Sequence, residues 1–286
     1  MMERFKEFWG QFKKNKAAVV GAWIVLFLIL CALLAPVISH HDPYVQNTQE
    51  RLALPAWEHG GSSKHLLGTD DLGRDTFTRL LYGARISLTI GIISIGIAVS
   101  FGIVFGLLAG YFGRKTDMII MRVMDLMLSL PSILLIIIVV AILGPSLFNA
   151  MLAIGIMGIP GFARIVRASV LAEKEKEYVI ASKVNGSGHL RLMFKVIFPN
   201  CTVPIIVQAT MGFASAVLEA AGLSFLGLGA QPPTPEWGAM LMDAMQHITT
   251  APWLIIFPGG MIFLTVMGFN LLGDGIMDAL DPKRAH

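Results

Sequence analysis

Apolar residues in this chain gather into long blocks, and most of the charge lies in the short stretches between them. Six blocks are long enough to cross a hydrocarbon core of about 30 Å. They lie near 17–38, 86–110, 119–143, 148–168, 200–226 and 252–273. The pattern predicts an all-α, polytopic membrane protein with six transmembrane helices. The first block is too long for the apolar core of a cleaved leader, and no small-x-small site follows before Pro36. It therefore reads as a retained span.

Two polar regions interrupt the pattern. The longer, 39–85, carries Asp42, Glu50, Glu58, Asp70, Asp71 and Asp75 and is punctuated by proline and glycine. It is too short for an independent domain, so it reads as a lid at the outer mouth or as a solvated connector. The second region, Glu177 to Pro199, is amphipathic. The expectation is two short helices, Glu177 to Asn185 and Leu190 to Phe198, with a turn at Gly186 to Gly188. Only glycine enters the left-handed region without steric cost, which suits Gly186 to a helix end. Leu190, Met193, Phe194 and Ile197 keep helical spacing and form one apolar stripe, with Arg191 and Lys195 off it. Pro199 suits the first turn of the following helix. A further loop, Gly229 to Trp237, is stiffened by Pro232, Pro233 and Pro235 and is expected to be non-helical. Trp237 is expected at the membrane interface.

Charge sets the orientation. Of the 22 lysines and arginines, all but five lie before the first span, after the second, after the fourth or at the C-terminus. The five, Arg51, Lys64, Arg74, Arg79 and Arg85, fall in 39–85. Positive residues favour the cytoplasmic side, so both termini are expected there. Phe5, Phe8, Trp9 and Phe12, set among lysines, predict an N-terminal helix in the headgroup plane, against a helix simply continuous with the first span. The resulting division is an N-terminal cytoplasmic or interfacial helix at 1–16, a first span at 17–38 and a periplasmic loop at 39–85. A transmembrane core follows at 86–274, with a cytoplasmic loop at 173–199 and a tail at 275–286. Charged residues make up 14% of the chain, well below a soluble domain's quarter, and the small net charge of +3 needs no nucleic-acid partner. Cys31 and Cys201 sit in or beside apolar runs, and no disulfide is expected.

Three segments together resemble a known family. Ala181-Ser182, three residues, Gly186, nine residues and Val196-Ile197-Phe198-Pro199 is similar to the EAA loop of ABC importer permeases. Ile180, Ser182 and Phe198 depart from that motif. His65-Leu-Leu-Gly-Thr-Asp-Asp-Leu-Gly-Arg-Asp75 and Phe225-Leu-Gly-Leu-Gly-Ala-Gln-Pro-Pro-Thr-Pro-Glu-Trp-Gly238 resemble the peptide/nickel branch, nearest to second permease subunits of bacterial dipeptide transporters. The resemblance runs from about Phe8 to Lys283. It implies a type I importer fold, with five core spans after a peripheral first one, in the bacterial inner membrane. It also implies a homologous second permease, two ABC ATPase subunits and a periplasmic peptide-binding protein as partners. ATP and Mg would bind on the ATPase subunits, with no cofactor in this chain. Glu177, Ala181, Ser182, Gly186, Val196, Phe198 and Pro199 would then form the ATPase-coupling loop. Dipeptides are the expected cargo, with oligopeptides, nickel chelates, glutathione and antimicrobial peptides as alternatives.

No Gly-x4-Gly-Lys-Ser/Thr loop is present, so the chain is expected to carry no ATPase of its own. No His-Glu-x-x-His offers zinc ligands, and His40-His41 beside Asp42 reads as a solvated turn, so no metal is expected. Asp125 and Asp274 lack the Gly-x-Gly-Asp setting of an intramembrane protease. Glu173, Lys174, Glu175 and Lys176 read as solvated charges flanking the loop. Glu219, in the outer third of the fifth span, is expensive to ionise in lipid and is the candidate for the translocation path, against a structural hydrogen bond. Gly102, Gly106 and Gly110, like Gly212, Ala216 and Ala220, put small residues on one helix face for close packing. A secondary transporter is the competing class. Gly158-Ile159-Pro160-Gly161 interrupts the fourth span as such carriers require, but no matching second half exists.

Overall fold

The computed structural model describes residues 9–280. Asn15 accepts from the Ala18 amide and so starts α1 (Lys16–Ile38). The helical turn before it, 9–14, is separate from α1. Its Phe12 ring is buried over Gly275 and stacks on exposed Trp9, while Asn15 donates to Asp278 at 3.0 Å. Phe12 therefore packs on protein while Trp9 stays exposed; Phe5 and Phe8 lie outside the described residues. Ala18, Gly21 and Val25 of α1 lie against Gly268, Leu272 and Gly275 of α9 (Trp253–Leu280), which fastens the first helix to the last.

α2 (Thr76–Phe112) has 37 residues. That is about 55 Å of helix, well beyond the thickness of the hydrocarbon core. Its start is fixed by Asp75, whose carboxylate accepts from the Thr78 amide at 2.8 Å. The loop expected at 39–85 thus ends at 75. Thr76, Thr78 and Arg79 hid the extra turns from a reading based on hydropathy.

The third span expected at 119–143 is two helices, α3 (Arg114–Leu128) and α4 (Ser132–Leu143), meeting at 88°. Pro131 lacks an N–H and disfavours helical geometry at Leu130. Ser129 closes α3 by donating its hydroxyl to the Leu126 carbonyl at 2.7 Å. With 12 residues, α4 reaches about 18 Å and crosses a membrane only together with α3. Five other helices are long and apolar enough to span: α1, α2, α5 (Leu147–Glu173), α7 (His189–Phe225) and α9.

The glycine ladder of α2 packs within this chain, against α5. A Cβ at Gly106 would stand 2.5 Å from Val166 Cβ, and one at Gly110 2.8 Å from Val170 Cβ. No side chain fits there, and the close approach supplies dispersion contacts where lipid offers no hydrophobic drive. α7 joins α9 through the stacked rings of Phe213 and Phe269, 3.9 Å between centroids. α9 runs on to Leu280, so Asp274 lies inside the helix and not after it.

Two features at the end of the bundle that carries 39–75 differ from the sequence reading. α8 (Trp237–Ala244) is a helix where a stiff connector was expected only to end. Glu236 caps it, accepting from the Gly238 and Ala239 amides at 3.0 and 2.9 Å. Trp237 is fully buried and donates its indole N–H to the Leu80 carbonyl at 3.1 Å. It sits inside the protein, not at the lipid interface, because that carbonyl satisfies its one polar atom. The loop 39–75 is likewise tied down. Arg79 donates to the Pro43 and Pro233 carbonyls, and Arg74 holds Asp70 at 2.6 Å while reaching Asp243 of α8 at 3.5 Å. A freely solvated connector does not bury two arginines. Among the described residues there is no β-strand, only an isolated bridge between Thr69 and Asp75.

Candidate functional site

At the end of α5 the chain leaves the bundle, makes α6 (Glu177–Val184), turns and enters α7. The turn is a complete Schellman closure. The Ser187 amide donates to the Ser182 carbonyl and the Gly186 amide to the Lys183 carbonyl, at 3.2 and 3.0 Å. Gly186 sits at φ +79°, in the left-handed region. Ser182 also donates its hydroxyl to Ser187 at 3.0 Å. These bonds make residues 181–187 a stiff knob, and Ala181 and Gly186 are exposed on it.

The second half differs from expectation. No break separates it from the next span: α7 passes through a wide π-type turn at Leu192–Ile197 and a tight one at Phe198–Cys201, with Pro199 in the latter. The expected apolar stripe splits in consequence. Met193 and Ile197 turn inward beside Leu192, while Leu190 and Phe194 stay exposed. Inward-facing Leu192, Met193, Ile197 and Val179 join Leu107, Phe162, Val166 and Val170 in one cluster, so the loop is cemented onto the ends of α2 and α5. Outward-facing Ile180, Val184, Leu190 and Phe194 are apolar side chains left uncovered among the described residues; Val184 is 81% exposed. Glu177 is an exposed first residue of α6, and Val196 and Phe198 are half-buried against the cluster.

The flanking charges are not simply solvated. Glu173 is buried, accepts from the Tyr178 hydroxyl and pairs with Lys176 at 2.7 Å. Asn200 donates to the Tyr178 oxygen at 3.1 Å and to the Val196 carbonyl at 2.9 Å. Lys174 donates to the Gly110 carbonyl at the end of α2. Burial first, and then the bond to Glu173, push the Tyr178 phenol up to about 12, so it remains a proton donor. Tyr178 and Asn200 were missed because a brace between distant elements leaves no periodic signal. Two further ties anchor α3 to α5: Arg167 holds both oxygens of Asp117, and Arg164 meets Asp125 at 2.6 Å. Asp125 is thus an ion-pair partner and not half of an aspartyl dyad.

Glu219 lies on the open face of α7 with Ser215, Leu218 and Gly222, half-buried. Among the described residues its carboxylate has no hydrogen bond or ion pair, so the structural hydrogen bond weighed against its path role is absent within them. Ala216 and Ala220 face the other way, into a cluster with Ile90, Ile136 and Ala150.

In the loop 39–75, Lys64 bonds Glu50 at 2.6 Å and His65 approaches it at 3.3 Å. Those partners, Lys64 foremost, hold the Glu50 carboxyl down to about 2. Burial, opposed by its two amide donors, pushes the carboxyl of Glu236 up. Burial raises Asp243 as well, against the pull of Arg74.

Comparison with known proteins agrees over nearly the whole chain. Residues 102–286 match the model of the binding-protein-dependent transport system inner membrane component, and residues 3–55 match the N-terminal transmembrane domain of oligopeptide transport permease C. The dipeptide transport system permease protein DppC of Escherichia coli (strain K12) is 52% identical over 282 residues, 99% of this chain and 94% of the relative. The glutathione transport system permease protein GsiD of Pectobacterium atrosepticum is 44% identical, covering 98% and 91%. Among solved structures, an inward-facing MetNI methionine ABC transporter matches with a TM-score of 0.58 at 18% identity, over 71% of this chain and 96% of the matched one. That likeness bears on fold alone.

Proposed function

The chain belongs to the binding-protein-dependent transport system inner membrane components, as a permease subunit of an ATP-driven importer, and from that premise we propose how it works and what it carries. Its cargo is di- and short peptides, a reading supported by the name of the relative at 52% identity. The glutathione permease at 44% marks how little this subunit's sequence separates cargoes. A second, homologous permease completes the pathway, two ATPase subunits bind ATP and Mg, and a periplasmic binding protein delivers substrate. The chain sits in the inner membrane with both termini in the cytoplasm, as its positive residues favour.

One observation carries the coupling model: a stiff knob, with exposed apolar side chains beside it, stands outside the bundle on a base packed against α2, α5 and α7. A partner groove that closes on Ala181, Ser182 and Val184 moves a body, not a flexible loop. Tyr178, Glu173 and Asn200 then pass the displacement into α5 and α7 together. A two-state element responds only to a ligand that distinguishes its states, and an ATPase pair that closes on ATP supplies that difference. Glu219, on the open face of α7, lines the path beside the second permease.

Uptake of labelled dipeptide by proteoliposomes holding the assembled complex tests the reading. Uptake that needs ATP inside the vesicle and ignores a proton gradient supports it. Uptake driven by the gradient without ATP places the chain among secondary carriers.

A further inference from the structure

His65 is buried in the outer loop, and both its ring nitrogens face carboxylates. Nδ1 lies 2.8 Å from Asp75 Oδ1, and Nε2 lies 3.3 Å from Glu50 Oε2. A neutral imidazole carries one proton and donates to only one of them. The other contact calls for a second positive species, either a proton or a metal ion. Lys64 already engages both oxygens of Glu50, at 2.6 and 2.8 Å, which leaves Asp75 as the anion without a neighbouring cation in this group.

His41 favours the metal. Its ring lies 4.9 Å from that of His65, centroid to centroid, and half-buried His41 thus turns inward while His40 stays exposed. One donor atom each from His41, His65 and Asp75 falls within 4.8 Å of the others. A doubly protonated His65 has both its N–H groups directed at Asp75 and Glu50 and offers His41 only a ring contact, whereas a metal ion gains a ligand. Two imidazoles and one carboxylate are a donor set suited to borderline transition metals.

We propose that His41, His65 and Asp75 hold one divalent transition-metal ion of the Zn2+ class, with the remaining coordination open to water. Ligands of a tetrahedral Zn2+ stand about 3.4 Å apart, so the site needs an inward movement of His41 and a slight opening of the 2.8 Å contact between His65 and Asp75. An open pocket lined by His40, Asp42, Asn47 and Lys64 leads to it. Asp75 Oδ2 keeps its bond to the Thr78 amide while Oδ1 turns to the ion. The ion therefore ties the exit of α1 to the first turn of α2. Nothing in this assignment depends on the transport reading.

The test is Zn2+ binding to the full-length chain, purified in detergent with a tag free of histidine, stripped with chelator and dialysed against Zn2+ alone. The expected result is one ion per chain, bound at least about tenfold more weakly by His41→Ala. Exposed His40→Ala and His59→Ala bind as the parent does. Asp75→Asn, which keeps an oxygen for the Thr78 amide, also weakens binding and guards against a folding artefact in any one variant. Co2+ in place of Zn2+ gives ligand-field bands that vanish in His41→Ala. Absence of a retained ion, or retention that survives His41→Ala and fails in His40→Ala or His59→Ala, overturns the site.

Discussion

Tyr178 donates its hydroxyl proton to buried Glu173 across the turn between α5 and α6. Through Asn200, which donates to the same phenol oxygen, the pair also reaches the first turns of α7. Removing the hydroxyl leaves Glu173 with Lys176 alone and Asn200 without one acceptor. Tyr178→Phe is expected to weaken the brace by about 1–3 kcal/mol, small against the stability of the bundle. The protein should insert and assemble normally, with fewer peptides imported per ATP hydrolysed. The ratio of uptake to hydrolysis in proteoliposomes checks this, and an unchanged ratio counts against the brace.

Gly186 and Gly188 offer a matched pair. A side chain at either meets nothing within 4 Å, but Gly186 sits at φ +79° and Gly188 at φ −67°. The left-handed conformation costs an L-residue about 1–2 kcal/mol, more if β-branched. Gly186→Val should therefore abolish or sharply reduce uptake in a well-expressed protein, whereas Gly188→Val should not. Equal uptake by the two would remove the turn from the mechanism.

Glu219→Gln keeps shape and removes charge. If the path uses the carboxylate, uptake falls while the complex assembles and hydrolyses ATP as before. Transport at the parent rate would leave Glu219 without a need for charge.

Glu50 gives the outer loop a pH dependence. Its folded pKa of about 2 lies below the unfolded value of 4.5, so its contribution is complete above pH 4.5 and is lost as pH falls toward 2. Pepsin, active across that window, should cut 39–75 increasingly as pH drops from 4 to 2. In Glu50→Gln the loop should be cut as readily at pH 4 as at pH 2. Cleavage of the parent that does not change across the window would contradict the tie.

How much of this was legible depended on the kind of signal. Spans show in hydropathy, orientation in lysine and arginine, and the α2–α5 contact in glycines four residues apart. The Schellman turn was readable because only Gly186 fits it. By contrast, the extra turns of α2 begin with Thr76, Thr78 and Arg79, polar residues buried by a loop that hydropathy treats as solvent. α8 did carry a signal, since Trp237, Met240, Leu241 and Ala244 keep helical spacing, but three prolines just before it read as loop. The 88° bend at Pro131 lay inside an apolar run that masked it. The brace of Glu173, Tyr178 and Asn200 joins residues brought together only by the fold, as do His41, His65 and Asp75.

The central claim is that the knob at 181–187 and the apolar surface beside it receive force from a separate nucleotide-hydrolysing subunit. Val184→Cys, in a chain with Cys31 and Cys201 replaced by serine, places one thiol on that surface. Cross-linking it in native membranes is the most direct measurement. The account predicts a product with an ATPase subunit whose yield changes with ATP, and a thiol that a membrane-impermeant reagent does not reach from outside. Labelling from outside, or a purified complex with no such subunit against this residue, would contradict it.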